Sequence, residues 1–318
     1  MNSRLLAVSS WLLAVSCYLF AADISAPKME IVDTPDGRTT VFPQGITIID
    51  KDNKITGKYA VFYEKENRAI ISDSVKIVNP QLKIIADTAF YSFAEKKSNL
   101  TGKVQVESET LKIETPNLTF EQSRNFVKAQ DGVKIREKLQ NLTVIGKIAE
   151  YNFTDGLGTV DSSPTLYIER SDTTVIQSTK MILKNKESQF LALDSVTAKA
   201  GNTILTSDTL LFFIKEDSGI ATGNPKIFDN KNIILGKTIK FYFGEDDSMG
   251  SSTDRTVLKT IKIVESASAN YVTSDSGRLE VEGNIFSINY KDGDIENIRV
   301  FGDSLNFVSG KFYPKEKL

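Results

Sequence analysis

A phrase of about 29 residues recurs along most of this chain, and a chain with such a period folds by stacking copies of one small unit. Unit starts fall at Gly57, Ala86, Thr115, Gly146, Ser178, Ser207 and Gly236, with spacings of 29, 29, 31, 32, 29 and 29 residues. Five residues after each start stand Phe62, Tyr91, Phe120, Tyr151, Leu183, Phe212 and Phe241. Six of these seven are aromatic in a chain with 9% aromatic residues, so chance is a poor explanation. Three residues after each start stand Ala60, Ala89, Leu118, Ala149, Met181, Leu210 and Ile239, all apolar. Mixed residues such as Thr119 and Glu121 separate these rows, and alternation of period two is the signature of a strand with one buried face.

Each unit carries a second strand, centred 18 to 20 residues after its start. Its inward pairs are Val75 and Ile77, Val104 and Val106, Val133 and Ile135, Pro164 and Leu166, Val196 and Ala198, and Pro225 and Ile227. Gly102, Gly132 and Gly223 precede several of them, and Pro164 and Pro225 sit near strand starts, where a missing N–H is tolerated. Polar segments at 64–67 and 93–99 read as turns, and 45–48 reads as a partial opening unit. Residues 244–256 are rich in Gly, Ser and Asp and read as a flexible loop. Strand patterning resumes at 257–264, 279–290 and 295–308, with a hairpin turn at 291–294. No amphipathic helix is visible beyond the N-terminus. The expected fold is all-β: an elongated antiparallel structure of two-strand repeats, gaining roughly 10 Å per unit at the spacing of paired strands. Its open sheet edges need caps or invite a partner strand.

The N-terminus reads as an export signal. Arg4 precedes an almost wholly apolar stretch from Leu5 to Phe20, with Ala21 and Ala22 as cleavage positions. Two other readings stand beside cleavage: retention as an anchor, and lipidation at Cys17. The chain then divides into a signal peptide (1–22), a repeat region (23–243), a polar loop (244–256) and a continuation of the β-structure (257–318). Nothing later is apolar for long enough to cross a bilayer as a helix.

Composition narrows the function. There is no histidine, which removes the commonest general base and transition-metal ligand. Cys17 is the only cysteine, so neither an intramolecular disulfide nor a thiolate cluster is expected. The 39 basic and 41 acidic residues give a net charge of −2, without the basic excess of a nucleic-acid binder. Asp161, Asp194 and Asp229 fall near turns without forming a tight pair, so a carboxylate-based hydrolase is not expected. The cluster Glu245, Asp246 and Asp247 lacks the spacing of a calcium loop. No catalytic residue, metal ligand or cofactor is expected.

The phrase Ala86-Asp87-Thr88-Ala89-Phe90-Tyr91, followed by Leu100-Thr101-Gly102-Lys103-Val104-Gln105-Val106, resembles the OstA-like repeat of the lipopolysaccharide-transport bridge proteins, the LptA type. Ser207-Asp208-Thr209-Leu210 with Ala221-Thr222-Gly223-Asn224 keeps parts of it, and the resemblance covers about residues 40 to 310. It implies a β-jellyroll, or folded taco, with an apolar groove that shields lipid A acyl chains between inner and outer membranes. It also implies a periplasmic location, association with the outer membrane, joining to OstA-like domains of inner- and outer-membrane components, and end-to-end self-association. The groove residues it implies are the two rows Ala60, Ala89, Leu118, Ala149, Met181, Leu210, Ile239 and Phe62, Tyr91, Phe120, Tyr151, Leu183, Phe212, Phe241, together with Phe93, Phe153, Val104, Val106, Val133 and Ile135. Lys58, Lys103, Lys134, Lys147 and Lys237 are expected at the groove rim, facing lipid phosphates. The alternative is an exported structural β-solenoid whose rows form a closed core with no lipid cargo.

Overall fold

A bend recurs in the backbone at the period of the sequence. Pairs of consecutive residues take left-handed backbone angles at Asp73 and Ser74, Gly102 and Lys103, Asp131 and Gly132, Ser162 and Ser163, Asp194 and Ser195, Gly223 and Asn224, and Glu265 and Ser266. The small polar residues and glycines at most of these positions are those that adopt this conformation at least cost. In the computed structural model, which describes residues 22–35, 37–138, 141–169, 173–229, 231–245, 256–273, 277–291, 294–303 and 307–314, each pair lies within a long strand or between two consecutive short ones. The register of hydrogen bonding shifts there, as at a β-bulge.

Two long, bent strands occur per repeat in parts of the chain, while from Phe126 to Lys184 the strands are short and separate at the bends. Arg68–Val78 pairs with Leu82–Ser92 on both sides of the bend, 68–72 against 88–92 and 75–78 against 83–86. Leu82–Ser92 pairs in the same way with Lys97–Ser108. The result is an antiparallel meander creased along its length, so that its two arms become facing sheets. Every second bend uses a left-handed pair. The bends between them fall at the unit starts, where small residues stand: Gly57, Ala86, Thr115, Gly146, Ser178, Ser207 and Gly236. A Cβ added to Gly57 would lie 2.3 Å from the Ile71 side chain, so the crease has no room for one. Where a hydroxyl occurs, it is tied down: Ser178 Oγ donates to Lys180 O at 2.9 Å, and Ser207 Oγ to Thr209 O at 3.1 Å.

The bends also explain the phase of the apolar pattern. Along Leu82–Ser92 the buried residues are Leu82, Ile84 and Ala86, then Ala89 and Tyr91. One extra residue at the crease keeps the same side of the strand turned inward after the direction changes. The sequence rows at three and five residues after each start are therefore one arm of a bent strand. The other arm carries inward residues as well.

The chain forms two compact units. One comprises residues up to Glu109 with Thr119–Ser123, the other Thr110–Leu118 with Arg124 onward. The first contains the strands from Asp23–Ser25 to Lys97–Ser108, with a core of residues such as Ile48, Ile55, Ile71, Ile84 and Leu100. The second contains the strands from Phe126–Gln130 through Thr256–Thr273 and Gly277–Lys291 to Ser309–Pro314. Among the described residues the only helical turns are short 3-10 segments, Gln122–Arg124 and Asn185–Glu187, and none is long and apolar enough to cross a membrane. The signal segment with Cys17 lies outside the described residues up to Ala21, as do Asp246 to Arg255 of the polar loop and Asp292 and Gly293 of the hairpin turn. Lys291 and Asp294, which flank that turn, pair with each other.

Candidate functional site

The site is the space between the two arms of the creased sheet. Arms on one side include Ile46–Asp50, 75–78 and 82–86, and arms on the other include Tyr59–Tyr63, 68–72 and 88–92. The crease closes one edge. The hairpin turns at the far ends of the strands form the opposite edge, the mouth.

Every residue of the expected groove turns inward. Ala60, Ala89, Tyr91, Leu118, Phe120, Ala149, Tyr151, Met181, Leu210, Phe212, Ile239, Phe241, Val104, Val106, Val133 and Ile135 are buried. Phe62, Phe93, Phe153 and Leu183 are half-buried. Phe93 lies edge-on to Tyr91 at 4.7 Å between ring centroids and to Phe62 at 5.3 Å, and Tyr151 meets Phe153 at 4.8 Å. The small positions beside the aromatics are filled. A Cβ on Gly158 would lie 2.4 Å from the Tyr151 ring, and one on Gly219 would lie 2.1 Å from the Phe241 ring. These glycines accommodate rings of the protein itself.

Space remains in the second unit. A cavity of about 50 Å³ is walled on one side by Thr174, Ile176, Ala198 and Leu205 and on the other by Phe212, Phe241, Phe243 and Leu258. Thr174, Ala200, Thr203 and Phe243 are remote from the crease, so the cavity lies toward the mouth. A smaller one, about 20 Å³, is bounded by Leu111, Ile135, Leu183, Asn185 and Phe190. Ligand sites usually offer roughly 300–1,000 Å³, so the arms must separate before a chain-like ligand fits.

The residues that sequence reasoning missed belong to two classes. One is the strand beside the aromatic rows on the same arm, with Ala69 and Ile71, Val127 and Ala129, and Phe190 and Ala192 standing 12 and 14 residues after the unit starts. That fixed offset was a usable signal. The other is polar and has no periodic signal. In the first unit Tyr91 Oη donates to Asp50 Oδ2 at 2.9 Å, and Lys96 Nζ contacts the same oxygen at 2.5 Å. Gln122 Oε1 accepts a longer bond from Tyr91 at 3.4 Å. In the second unit Asn185 Nδ2 donates to Thr110 Oγ1 at 3.1 Å.

The lysines expected at the rim sit elsewhere. Lys58, Lys147 and Lys237 directly follow unit starts, and Lys103 belongs to a left-handed pair. All four therefore lie along the crease. Backbone bonding there fixes them in place, with Lys58 N–H donating to Asp73 O and Lys237 N–H to Glu265 O, both at 3.0 Å. Lys134 projects from an arm opposite Glu114. Among the described residues no group of acidic, cysteine or histidine side chains is arranged to hold a metal.

Burial raises the phenol pKa of three inward tyrosines. Desolvation is the main cause for each, reinforced by Asp50 at Tyr91, by Glu137 at Tyr151 and by Asp229 at Tyr290. Tyr151 is pushed up to about 12. A raised folded-state pKa means that the unfolded chain releases these protons first, near the ordinary value of about 10. Their contribution to stability is complete below that pH and is lost as pH rises toward the folded values. In an alkaline titration these three of the ten tyrosines should ionise together with unfolding, seen as coincident ultraviolet absorbance and circular dichroism transitions. Their ionisation in a still-folded protein would contradict the burial described.

Residues 50–163 match the family described as lipopolysaccharide-assembly, LptC-related. The chain is similar to LptH of Pseudomonas aeruginosa, described as the LptA homologous periplasmic component of the conserved lipopolysaccharide transport device. That likeness covers 56% of this chain and 92% of LptH, at 9% identity and a TM-score of 0.23. No curated protein matches the chain.

Proposed function

We infer that this chain, which matches the lipopolysaccharide-assembly, LptC-related family over residues 50–163, is a periplasmic lipopolysaccharide-transport protein and not an enzyme. The observation that carries the reading, beside that match, is the apolar interior between the facing arms, with a cavity toward the mouth in the second unit. Acyl chains gain about 0.8 kcal/mol for each CH₂ removed from water, so even a site that opens only transiently competes well for them. The sugar and phosphate head stays outside, beyond the mouth. Export through a cleaved signal places the chain between the membranes. Its terminal strands offer edges for joining to similar domains. Glu30–Thr34 pairs only with Gly37–Phe42 among the described residues, and Ile31 on it is 59% exposed. Ser309–Pro314 pairs only with Gly277–Lys291 among the described residues, and Phe312 on it is 57% exposed. Strand addition at such edges would bridge inner- and outer-membrane components and allow end-to-end self-association.

The tight packing of the rows favours a second reading, a closed structural β-protein. Incubation of the purified chain with lipopolysaccharide, followed by gel filtration and mass spectrometry of the protein peak, separates the two. The transport reading expects lipid A in the protein peak, in near-stoichiometric amount and displaced by excess unlabelled lipopolysaccharide. A folded protein that elutes free of lipid at every ratio would establish the structural reading.

A further inference from the structure

A polar cluster is buried at the mouth of the first unit, where the surrounding interior is apolar. Asp50 ends the strand Ile46–Asp50, on one arm of the creased sheet. Tyr91 lies near the end of Leu82–Ser92, on the facing arm, and Lys96 stands in the turn that follows it. Gln122 follows the strand Leu111–Glu121 and is hydrogen-bonded to that same turn, its N–H donating to Lys96 O at 3.1 Å. Asp50 is only 5% exposed and Tyr91 1%. One carboxylate oxygen of Asp50 thus joins the two arms through both the Tyr91 hydroxyl and the Lys96 ammonium.

Such a cluster is not needed for stability. Apolar residues of similar size often hold facing sheets as well or better than a buried ion pair does. The cluster is also incompletely satisfied, since Gln122 Nε2 is buried with no hydrogen-bond partner among the described residues. A polar contact across a mouth differs from an apolar one in a useful way. It holds firmly while complete, and it can be exchanged for water or for another anion once strained. The second unit has a neutral counterpart across its own mouth, the bond from Asn185 to Thr110.

We propose that Asp50, Tyr91 and Lys96 form a latch that holds the mouth of the first unit shut, and that its opening admits acyl chains between the arms. The lipid part of this proposal rests on the transport reading above. The latch itself does not. Asp50 occupies Lys96 in the closed state, and the anionic phosphate of an incoming lipid head is a fitting replacement once the arms part. Lys96 is then a specificity-determining residue for anionic lipids, its ammonium standing where the apolar interior meets the mouth.

The test is a distance measurement across the mouth. Cysteines are introduced at the exposed turn positions as Asp52→Cys and Glu95→Cys, in a chain carrying Cys17→Ser, and labelled for double electron–electron resonance. The otherwise unaltered chain should give one short, narrow distance distribution. Asp50→Asn, which keeps the side chain's shape and its bond from Tyr91, should add a longer population, and so should Lys96→Met. Circular dichroism identical to the parent's establishes that both variants are folded. Distributions that stay identical to the parent's in both folded variants would overturn the latch. Lipopolysaccharide is then added to the unaltered latch. A shift to the longer population supports the lipid role. A latch that opens in the variants but never responds to lipopolysaccharide would stand as a structural device while the transport reading falls.

Discussion

Phe212→Ala should lower the stability of the second unit by about 3–5 kcal/mol, the cost of truncating a fully enclosed aromatic ring. Phe212 is 1% exposed. Its ring stacks on Phe190 at 5.1 Å and meets Phe241 at 6.1 Å and Phe243 at 6.3 Å. These neighbours come from adjacent strands of one arm, since Phe190 pairs with Phe212, Phe212 with Gly219 and Gly219 with Phe241. Collapse to fill the space is opposed by the backbone hydrogen bonds that fix each arm. The neighbouring outward residue Tyr242 is 43% exposed, and Tyr242→Ala should change stability by no more than about 0.5 kcal/mol. Urea unfolding followed by circular dichroism measures both. Equal, small losses for the two variants would mean that the interior is not packed as described.

Gly223→Val should be the most damaging single change along the crease, at about 2–5 kcal/mol from backbone strain and overpacking together. Gly223 has φ of 74°, which a β-branched residue adopts only with strain. Its missing Cβ would also lie 2.4 Å from Asp208 Oδ2, and Asp208 N–H donates to Gly223 O at 3.0 Å. Gly102 meets Asp87 in the same way, at 2.4 Å. The two causes separate in a double-mutant cycle. Asp208→Gly combined with Gly223→Val should recover the part due to the clash and leave the part due to backbone strain. Full additivity of the two changes would show that the carboxylate does not lean on this glycine.

Those contacts also give the repeated phrase its physical meaning. Asp87 and Asp208 pack over the glycine of the next bend, and Ala86 and Ser207 stand where the crease admits only a small side chain. The rows through Ala89 and Tyr91, or Leu210 and Phe212, were legible because they recur at one offset with large apolar residues. The neighbouring strand on the same arm was harder to read because its inward positions are often small. Gly158 and Gly219 interrupt it, and both are glycine because an aromatic ring fills the space beside them. The left-handed bends share small polar residues and glycine but no fixed pair of residues. Asp73 with Ser74, Ser162 with Ser163 and Glu265 with Ser266 share a backbone angle and a second serine, whereas Gly102 with Lys103 and Gly223 with Asn224 reach the same angle with other residues. The lysines were misplaced for a related reason. Lys58 and Lys237 occur at a fixed offset from the unit start, but only the direction of the bend decides whether that offset falls at the mouth or at the crease. Asp50, Lys96 and Gln122 come from a strand end, a turn and a 3-10 segment, and nothing local in the sequence brings them together.

Transport as proposed requires that lipid enter the space between the arms. Photo-crosslinking in a Gram-negative host tests it most directly, with a photoreactive residue at Phe243 in one variant and at Tyr242 in another. Phe243 borders the cavity near the mouth, whereas Tyr242 faces outward on the same strand. Lipopolysaccharide adducts at position 243 and none at 242 are the predicted result. A folded, exported protein with no adduct at 243, or with equal adducts at both positions, would contradict the account.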